Sequence, residues 1–373
     1  MILIVETVHA PSLQKKIVVF ADDKKQQMGM RKTIMVLSLA VWAAFTGCST
    51  DVDLYADYKQ VPIIYGLLDA RADTNFIKIT RSFYVQGDAY QMALNPDSSN
   101  YPGKLDVRLV EYRNGDSIRE IILDTITIHN KEEGTFYAPS QKLYYTTERL
   151  KANATNKNYS YKLKIVFPDR TLVANAKMVG NSGFGIQSLG VNFSKEYIGL
   201  SRPFLFRPAI NAKFYDVFMT FTFLEQRTPD SDSVPRTMKW RVGTWTEEVV
   251  ASNGMEGCYA FRYLPGSFYE ELTTFIGGDT LVPGLKRYIG DYPVEVVITA
   301  GGSKLWHYVY TNNESNGFMG DNSFSLLDDA YGVFSSRTTS RGLVRLAGET
   351  VPDLVSDVKW GFVFIGGTDG AEE

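Results

Sequence analysis

Phe214-Tyr215-Asp216-Val217-Phe218-Met219-Thr220-Phe221-Thr222-Phe223-Leu224 is the stretch that decides the fold class. Successive side chains point to opposite faces of a strand, so Tyr215, Val217, Met219, Phe221 and Phe223 line one face. Phe214 and Phe218 share the other with Asp216, Thr220 and Thr222. A strand apolar on one face and partly apolar on the other belongs inside a sheet whose two faces are covered. The expectation is a central strand of a β-rich domain.

Outward from it, residues 227–235 form a turn rich in Pro, Asp and Ser, and Met238, Trp240 and Val242 then alternate with Lys239 and Arg241. Residues 258–263 and 294–300 read as further strands, and 332–336, 343–347 and 359–365 as the closing ones. Ser267 with Glu270 three residues on has the spacing of a capping box, and Phe268, Leu272 and Phe275 share one helical face before Gly277-Gly278. This predicts a helix lying on the sheet. Residues 305–310 fit a second short helix or a strand, because so short a run has no decisive period.

Toward the N-terminus, Gly180, Gly183 and Gly185 interrupt any strand and mark a domain boundary. Before it, 61–68, 76–83, 104–112, 119–128, 159–167 and 171–178 alternate with period two and read as strands. Asn114-Gly115 is a type I′ hairpin signal, and Pro168-Asp169-Arg170 turns the next pair. Residues 88–103 make a long polar connection of the kind that is functional or disordered. The expected fold is mostly β: an immunoglobulin-like β-sandwich over 61–179, followed by a larger β-rich domain over 180–373 with one or two short helices.

The N-terminal segment carries an address. Met30-Arg31-Lys32 precedes an apolar run over 33–45 and then Thr46-Gly47-Cys48, the layout of a cleaved signal peptide over 30–47. Phe45-Thr46-Gly47-Cys48 resembles a lipobox, in which the cysteine thiol takes a diacylglycerol before cleavage. Cys48 is therefore the expected lipidation site. Residues 1–29 would give an n-region of unusual length, so the expected start is Met30, with Met28 a second candidate. Residues 48–60 follow as a tether containing Asp51, Asp53 and Asp57. This resembles the acidic signal that sends Bacteroidetes lipoproteins to the cell surface. Localisation in the outer membrane, facing outward, is what that resemblance implies.

Of the 39 Lys and Arg and 42 Asp and Glu in the chain, six and three precede Cys48, so the rest carries a net charge of about −6. With no basic stripe, nucleic acid is not an expected partner. Cys258 is the second of two cysteines, which leaves no intramolecular disulfide once Cys48 is acylated. His129 and His307 are the histidines past Cys48, and no CxxC or HxxxH spacing occurs, so no metal or cofactor is expected. Cys258 reads as a buried small hydrophobe. Glu270-Glu271 and Asp328-Asp329 are adjacent carboxylates that tend to face different ways, and Asp230-Ser231-Asp232 lacks the glycine and distal Glu of a Ca²⁺ loop. No phosphate-binding or dinucleotide motif is present. The chain is accordingly not expected to be an enzyme. The remaining candidates are aromatic residues near turns and strand ends: Trp240, Trp245, Trp306 and Tyr308. Each also fits a core position, and only joint exposure makes them a sugar-binding platform.

Asn316-Gly317-Phe318 and Tyr331-Gly332-Val333-Phe334-Ser335-Ser336-Arg337, with the Tyr-x-Leu-x-Ile ending of the first β-block, resemble a Bacteroidetes lipoprotein family of unknown function. In that family a sandwich-like domain precedes a larger β-rich one, and its members are often encoded beside TonB-dependent receptors. The resemblance implies an accessory protein that binds a glycan or peptide on its way to an outer-membrane transporter, held to the membrane by its lipid. A structural or adhesive fimbrial subunit is the alternative reading, and a hydrolase a third.

Overall fold

The computed structural model describes residues 60–83, 88–277, 283–311, 327 and 329–366, with only the backbone at 310 and 311. Residues 1–29, the signal segment 30–47, Cys48, the tether up to Lys59, the Asn316-Gly317-Phe318 motif and Asp328 lie outside the described residues. The described residues all belong to one compact unit. It is predominantly β, with several sheets and short helices.

β1 (Pro62–Leu68) and β2 (Asn75–Arg81) form the first antiparallel pair, and the alternation of β1 turns Pro62, Ile64, Gly66 and Leu68 inward. β3 (Asp106–Arg113), β4 (Asp116–Ile122), β5 (Asp124–Ile128), β6 (Gln141–Thr146), β7 (Tyr159–Val166) and β8 (Thr171–Lys177) follow. The β3–β4 turn has positive φ at both Asn114 (53°) and Gly115 (101°), as a type I′ turn requires. β4-β3-β7-β8 is a four-stranded sheet of its own, whereas β5 and β6 extend the sheet of β1 and β2. Leu109, Leu163 and Ile165 of the first meet Ile64, Leu68 and Ile77 of the second in one buried cluster.

Two expectations are corrected in this region. Residues 119–128 are not one strand: Leu123, 1 % exposed, stays in the core while the chain changes sheets between β4 and β5. The apolar phase shifts there from Ile121 and Leu123 to Ile126 and Ile128, but no Gly or Pro marks the corner in the sequence. Residues 88–103 are not a structureless loop. They hold helices Ala89–Ala93 and Pro96–Ser99, capped by the Asp88 and Asn95 side chains, with Asp88 Oδ1 accepting from the Tyr90 amide at 2.8 Å.

The rest comprises β9 (Gly185–Ile186), β10 (Gly190–Val191), β11 (Arg202–Arg207), β12 (Phe214–Gln226), β13 (Val234–Thr246), β14 (Tyr259–Tyr263), β15 (Lys286–Ile289), β16 (Val294–Gly301), β17 (Tyr331–Leu346) and β18 (Phe362–Phe364). An eleven-stranded sheet runs β18-β15-β12-β16-β17-β1-β2-β6-β5, with β13 also paired to β12 and β10 to β17, and β14-β11-β9 form a third sheet. β12 is interior to its sheet, and Tyr215, Val217, Met219 and Phe221 on one face are 0 % exposed, but the other face is not covered as expected: Asp216, Phe218 and Thr220 are half-buried and Thr222 is exposed. Helix Pro265–Ile276 packs there, with Phe268 stacked on Phe193 at 4.3 Å and edge-on to Phe221 at 5.3 Å. Burial of each such ring contributes roughly 1.5–3 kcal/mol.

That helix starts at Pro265, before the expected capping box, and Ser267 Oγ donates instead to the Leu264 carbonyl at 2.8 Å. Proline fits the first helical position because its missing N–H has no intrahelical partner there. Gly277 ends the helix in the left-handed conformation, φ 82°. Residues 303–311 are a helix. With Glu247–Ser252 and Thr350–Ser356 this half holds four α-helices among the described residues, more than the one or two expected.

β17 is the main surprise. The expected strands at 332–336 and 343–347 are one strand of 16 residues. Its first part pairs parallel with β1, from Ile63↔Tyr331 to Leu68↔Ser336, and its second part pairs antiparallel with β16, from Gly301↔Arg337 to Val294↔Val344. The connecting residues are polar, yet Thr338 and Ser340 are buried, and the Thr339 and Thr299 hydroxyls lie 3.2 Å apart. The Thr338 hydroxyl is taken by Asp69, so it survives burial without the apolar pattern that marks a strand in sequence. Phe334 of β17 belongs to the cluster with Ile64, while Val344 joins the cluster around β12. One strand thus enters both cores. At Gly332, φ is 103° and a Cβ would lie 2.1 Å from the Ile64 carbonyl oxygen, so only glycine fits.

Candidate functional site

The four aromatic candidates do not make one platform. Trp240 is a core residue, 5 % exposed, with its ring 5.9 Å from Phe268 and 6.1 Å from Phe193. The cause is its place on the inward face of β13, against the helix. Trp245 is half-buried and stacks on Phe261 at 5.4 Å. Trp306 and Tyr308 both stand on helix Ser303–Thr311, two residues apart and therefore on different sides of it. Trp306 turns to Phe214 at 5.4 Å, and Tyr308 sits edge-on to Tyr65 at 6.0 Å with the two hydroxyls 3.4 Å apart. Burial, then the Tyr65 hydroxyl, raises the Tyr308 phenol above its ordinary pKa.

A different feature lies at the start of the same helix. There the 303–311 helix and the Asn211-Ala212-Lys213 segment stand over the outer face of the β4-β3-β7-β8 sheet, enclosing a groove of about 520 Å³. Strand alternation builds its floor. With Leu163 and Ile165 turned into the core, Ser160 and Lys162 of β7 turn out, and the same phase turns out Asn175 and Lys177 of β8. Ser160 pairs with Lys177 and Lys162 with Asn175 across the two strands. Tyr112 of β3 lies opposite Ser160, and the Lys162 ammonium sits 5.0 Å from the Tyr112 ring centroid.

Lysines supply the walls as well. Lys304 reaches across so that its Nζ donates to the Asn175 carbonyl at 2.7 Å. Lys213 is ion-paired with Glu248, whose carboxyl that ammonium holds well below the usual range. No Asp or Glu lines the groove, and Lys162 and Lys177 have no carboxylate partner among the described residues. The groove is therefore cationic, hydroxyl- and amide-lined, and of a size to take a small ligand.

No protein-family model matches the chain, and no curated protein is significantly similar to it.

Sequence reading missed this groove because its four lysines, Lys162, Lys177, Lys213 and Lys304, come from four separate elements. In sequence, Lys162, Lys164 and Lys177 are the polar positions of alternating strands, which a solvated sheet face explains equally well. Only the fold brings Lys304 and Lys213 beside them.

Other chemistry is accounted for by packing. His129 Nδ1 lies 2.8 Å from Ser140 Oγ on an exposed stretch, with no carboxylate on the ring among the described residues. His307 is exposed on its helix. Cys258 is half-buried, not fully buried as expected, because it closes the small bridge with Met255 ahead of β14. Glu111, 2 % exposed, accepts from Arg119 Nε and the Tyr161 hydroxyl, both at 2.9 Å. Glu225 accepts from Arg287 at 3.1 Å and Arg236 at 3.2 Å. Buried carboxylates compensated in this way are structural ion pairs. Among the described residues no cluster of His, Cys, Asp and Glu could hold a metal ion, and no helix is long and apolar enough to cross a membrane.

Proposed function

We propose that this chain is a lipid-anchored protein of the outer membrane, displayed outward, that binds a glycan or peptide and hands it to a TonB-dependent transporter. The observation that carries this reading is the cationic, amide- and hydroxyl-lined groove over the outer face of the β4-β3-β7-β8 sheet. Two facing surfaces held by a shared strand make a rigid place to hold a ligand. The lipobox ending in Cys48, the acidic tether and the resemblance to the Bacteroidetes lipoprotein family support the address. We assign 61–179 to an immunoglobulin-like β-sandwich, a reading supported by the shared core of β4-β3-β7-β8 and β1-β2-β6-β5.

The test has two arms. Cell fractionation with proteolysis of intact cells should find the chain in the outer membrane and cleavable from outside, and Cys48→Ser should release it. Array binding should give at least one glycan or peptide ligand that is lost when Ser303→Trp fills the groove. A Cys48→Ser chain that stays in the membrane sinks the anchor, and a ligand indifferent to Ser303→Trp sinks the groove.

A further inference from the structure

Resting on the reading of the groove as a binding site, we infer that its ligand is an acidic oligosaccharide, with carboxylates or sulfates on successive sugar units. Lys162, Lys177, Lys213 and Lys304 line the groove, and among the described residues no carboxylate does. Lys213 is balanced by Glu248. Lys162 and Lys177 remain, and nothing acidic among the described residues offsets either one. A cation in a concave site without a counter-charge recruits an anion.

Spacing argues for more than one anion. Lys162 faces Asn175, so Lys177 is its diagonal neighbour, at about 7–8 Å by sheet geometry. The Lys162 head is held over the Tyr112 ring. Two cations spaced in this way on one floor can each take an anionic group from neighbouring sugars.

Hydrogen-bond supply separates a sugar from a peptide. An acidic peptide entering here would most simply add a strand to the edge of β8 through its backbone. That route is occupied: Lys304 Nζ already holds the Asn175 carbonyl at 2.7 Å, and Ser336 Oγ holds the Lys177 carbonyl at 2.6 Å. What the groove offers is side chains, namely Ser160, Ser303 and the Asn175 amide besides the lysines. Hydroxyls and amides that both donate and accept suit sugar hydroxyls.

The experiment is equilibrium binding to the full chain purified in detergent, using a sulfated hexasaccharide, an oligogalacturonide, a neutral gluco-oligosaccharide and an oligoglutamate peptide. At least one acidic sugar should bind, more weakly as salt rises, because screening acts on exposed charges. Lys162→Gln and Lys177→Gln should each weaken it about tenfold, the scale of one charge-assisted hydrogen bond. Both lysines lie on the outer sheet face, so unchanged thermal melts should accompany the loss. Tighter binding of the neutral sugar or of oligoglutamate, or an acidic sugar indifferent to both substitutions, overturns the inference. If such a competitor is lost with Ser303→Trp, the groove remains a binding site and only its ligand class is wrong. If none of the four probes binds, the inference falls, and the array decides separately on the groove.

Discussion

Ser336 and Val179 join the two cores: the Ser336 hydroxyl, wholly buried on β17, accepts the Val179 amide at 2.8 Å and donates to the Lys177 carbonyl at 2.6 Å. Met178 belongs to the cluster of the first β-block and Val179 to that of the second, so the bond sits where the chain passes from one to the other.

Ser336→Ala should therefore destabilise more than the loss of a small side chain implies. It leaves the Val179 N–H and the Lys177 C=O without their partner in a dry site, at a cost of about 1–3 kcal/mol. Urea unfolding should give a lower midpoint with an unchanged slope. An unchanged midpoint would mean that the junction does not depend on this hydroxyl.

Gly332→Ala should cost more than about 2 kcal/mol, since it combines a left-handed backbone with a Cβ placed on the Ile64 carbonyl. Thermal unfolding of this variant beside Gly134→Ala, where a Cβ meets nothing, separates the site from a general effect of losing glycine. Equal melting temperatures for the two would contradict the parallel β1–β17 register.

How much was legible follows from where apolar patterning persists. β12, β3, β7 and β8 could be read because each keeps one face in a core, and Asn114-Gly115 fixed its own turn. The polar middle of β17 could not, because Thr338 and Thr339 find partners far away in the chain, at Asp69 and Thr299. The helices at 89–99 are too short for a period and show only as Asp88 and Asn95 caps. Among the aromatic candidates, sequence cannot tell the inward phase of Trp240 from an outward one. The groove needs the third dimension outright, since β8 and the 303–311 helix are more than a hundred residues apart.

Trp240→Ala should behave as a core truncation, destabilising by about 3–5 kcal/mol by opening a cavity against Phe193 and Phe268. Under conditions where the variant remains folded, its ligand binding should match the parent's. A stable protein with lost binding would return Trp240 to the binding surface.

Alkaline stability should fall above pH about 10. Burial raises the phenols of Tyr161, Tyr215, Tyr263 and Tyr269 above the ordinary value, with Glu111 adding to the effect at Tyr161. An unfolded chain titrates near the ordinary value while the native one keeps its protons. The stabilisation is thus complete below pH about 10 and is lost as pH rises toward the native values. Denaturant midpoints across that range should drop as the tyrosinate absorbance appears, and tyrosinate forming at constant stability would contradict the burial.

Whether the groove over the β4-β3-β7-β8 sheet holds an acidic sugar is decided by a crystal structure of the chain soaked with the sulfated hexasaccharide. Ordered sugar is expected in the groove, with anionic groups within hydrogen-bond distance of Lys162 Nζ and Lys177 Nζ. Sugar stacked instead on Trp306 or Tyr308, with the lysines untouched, would contradict it.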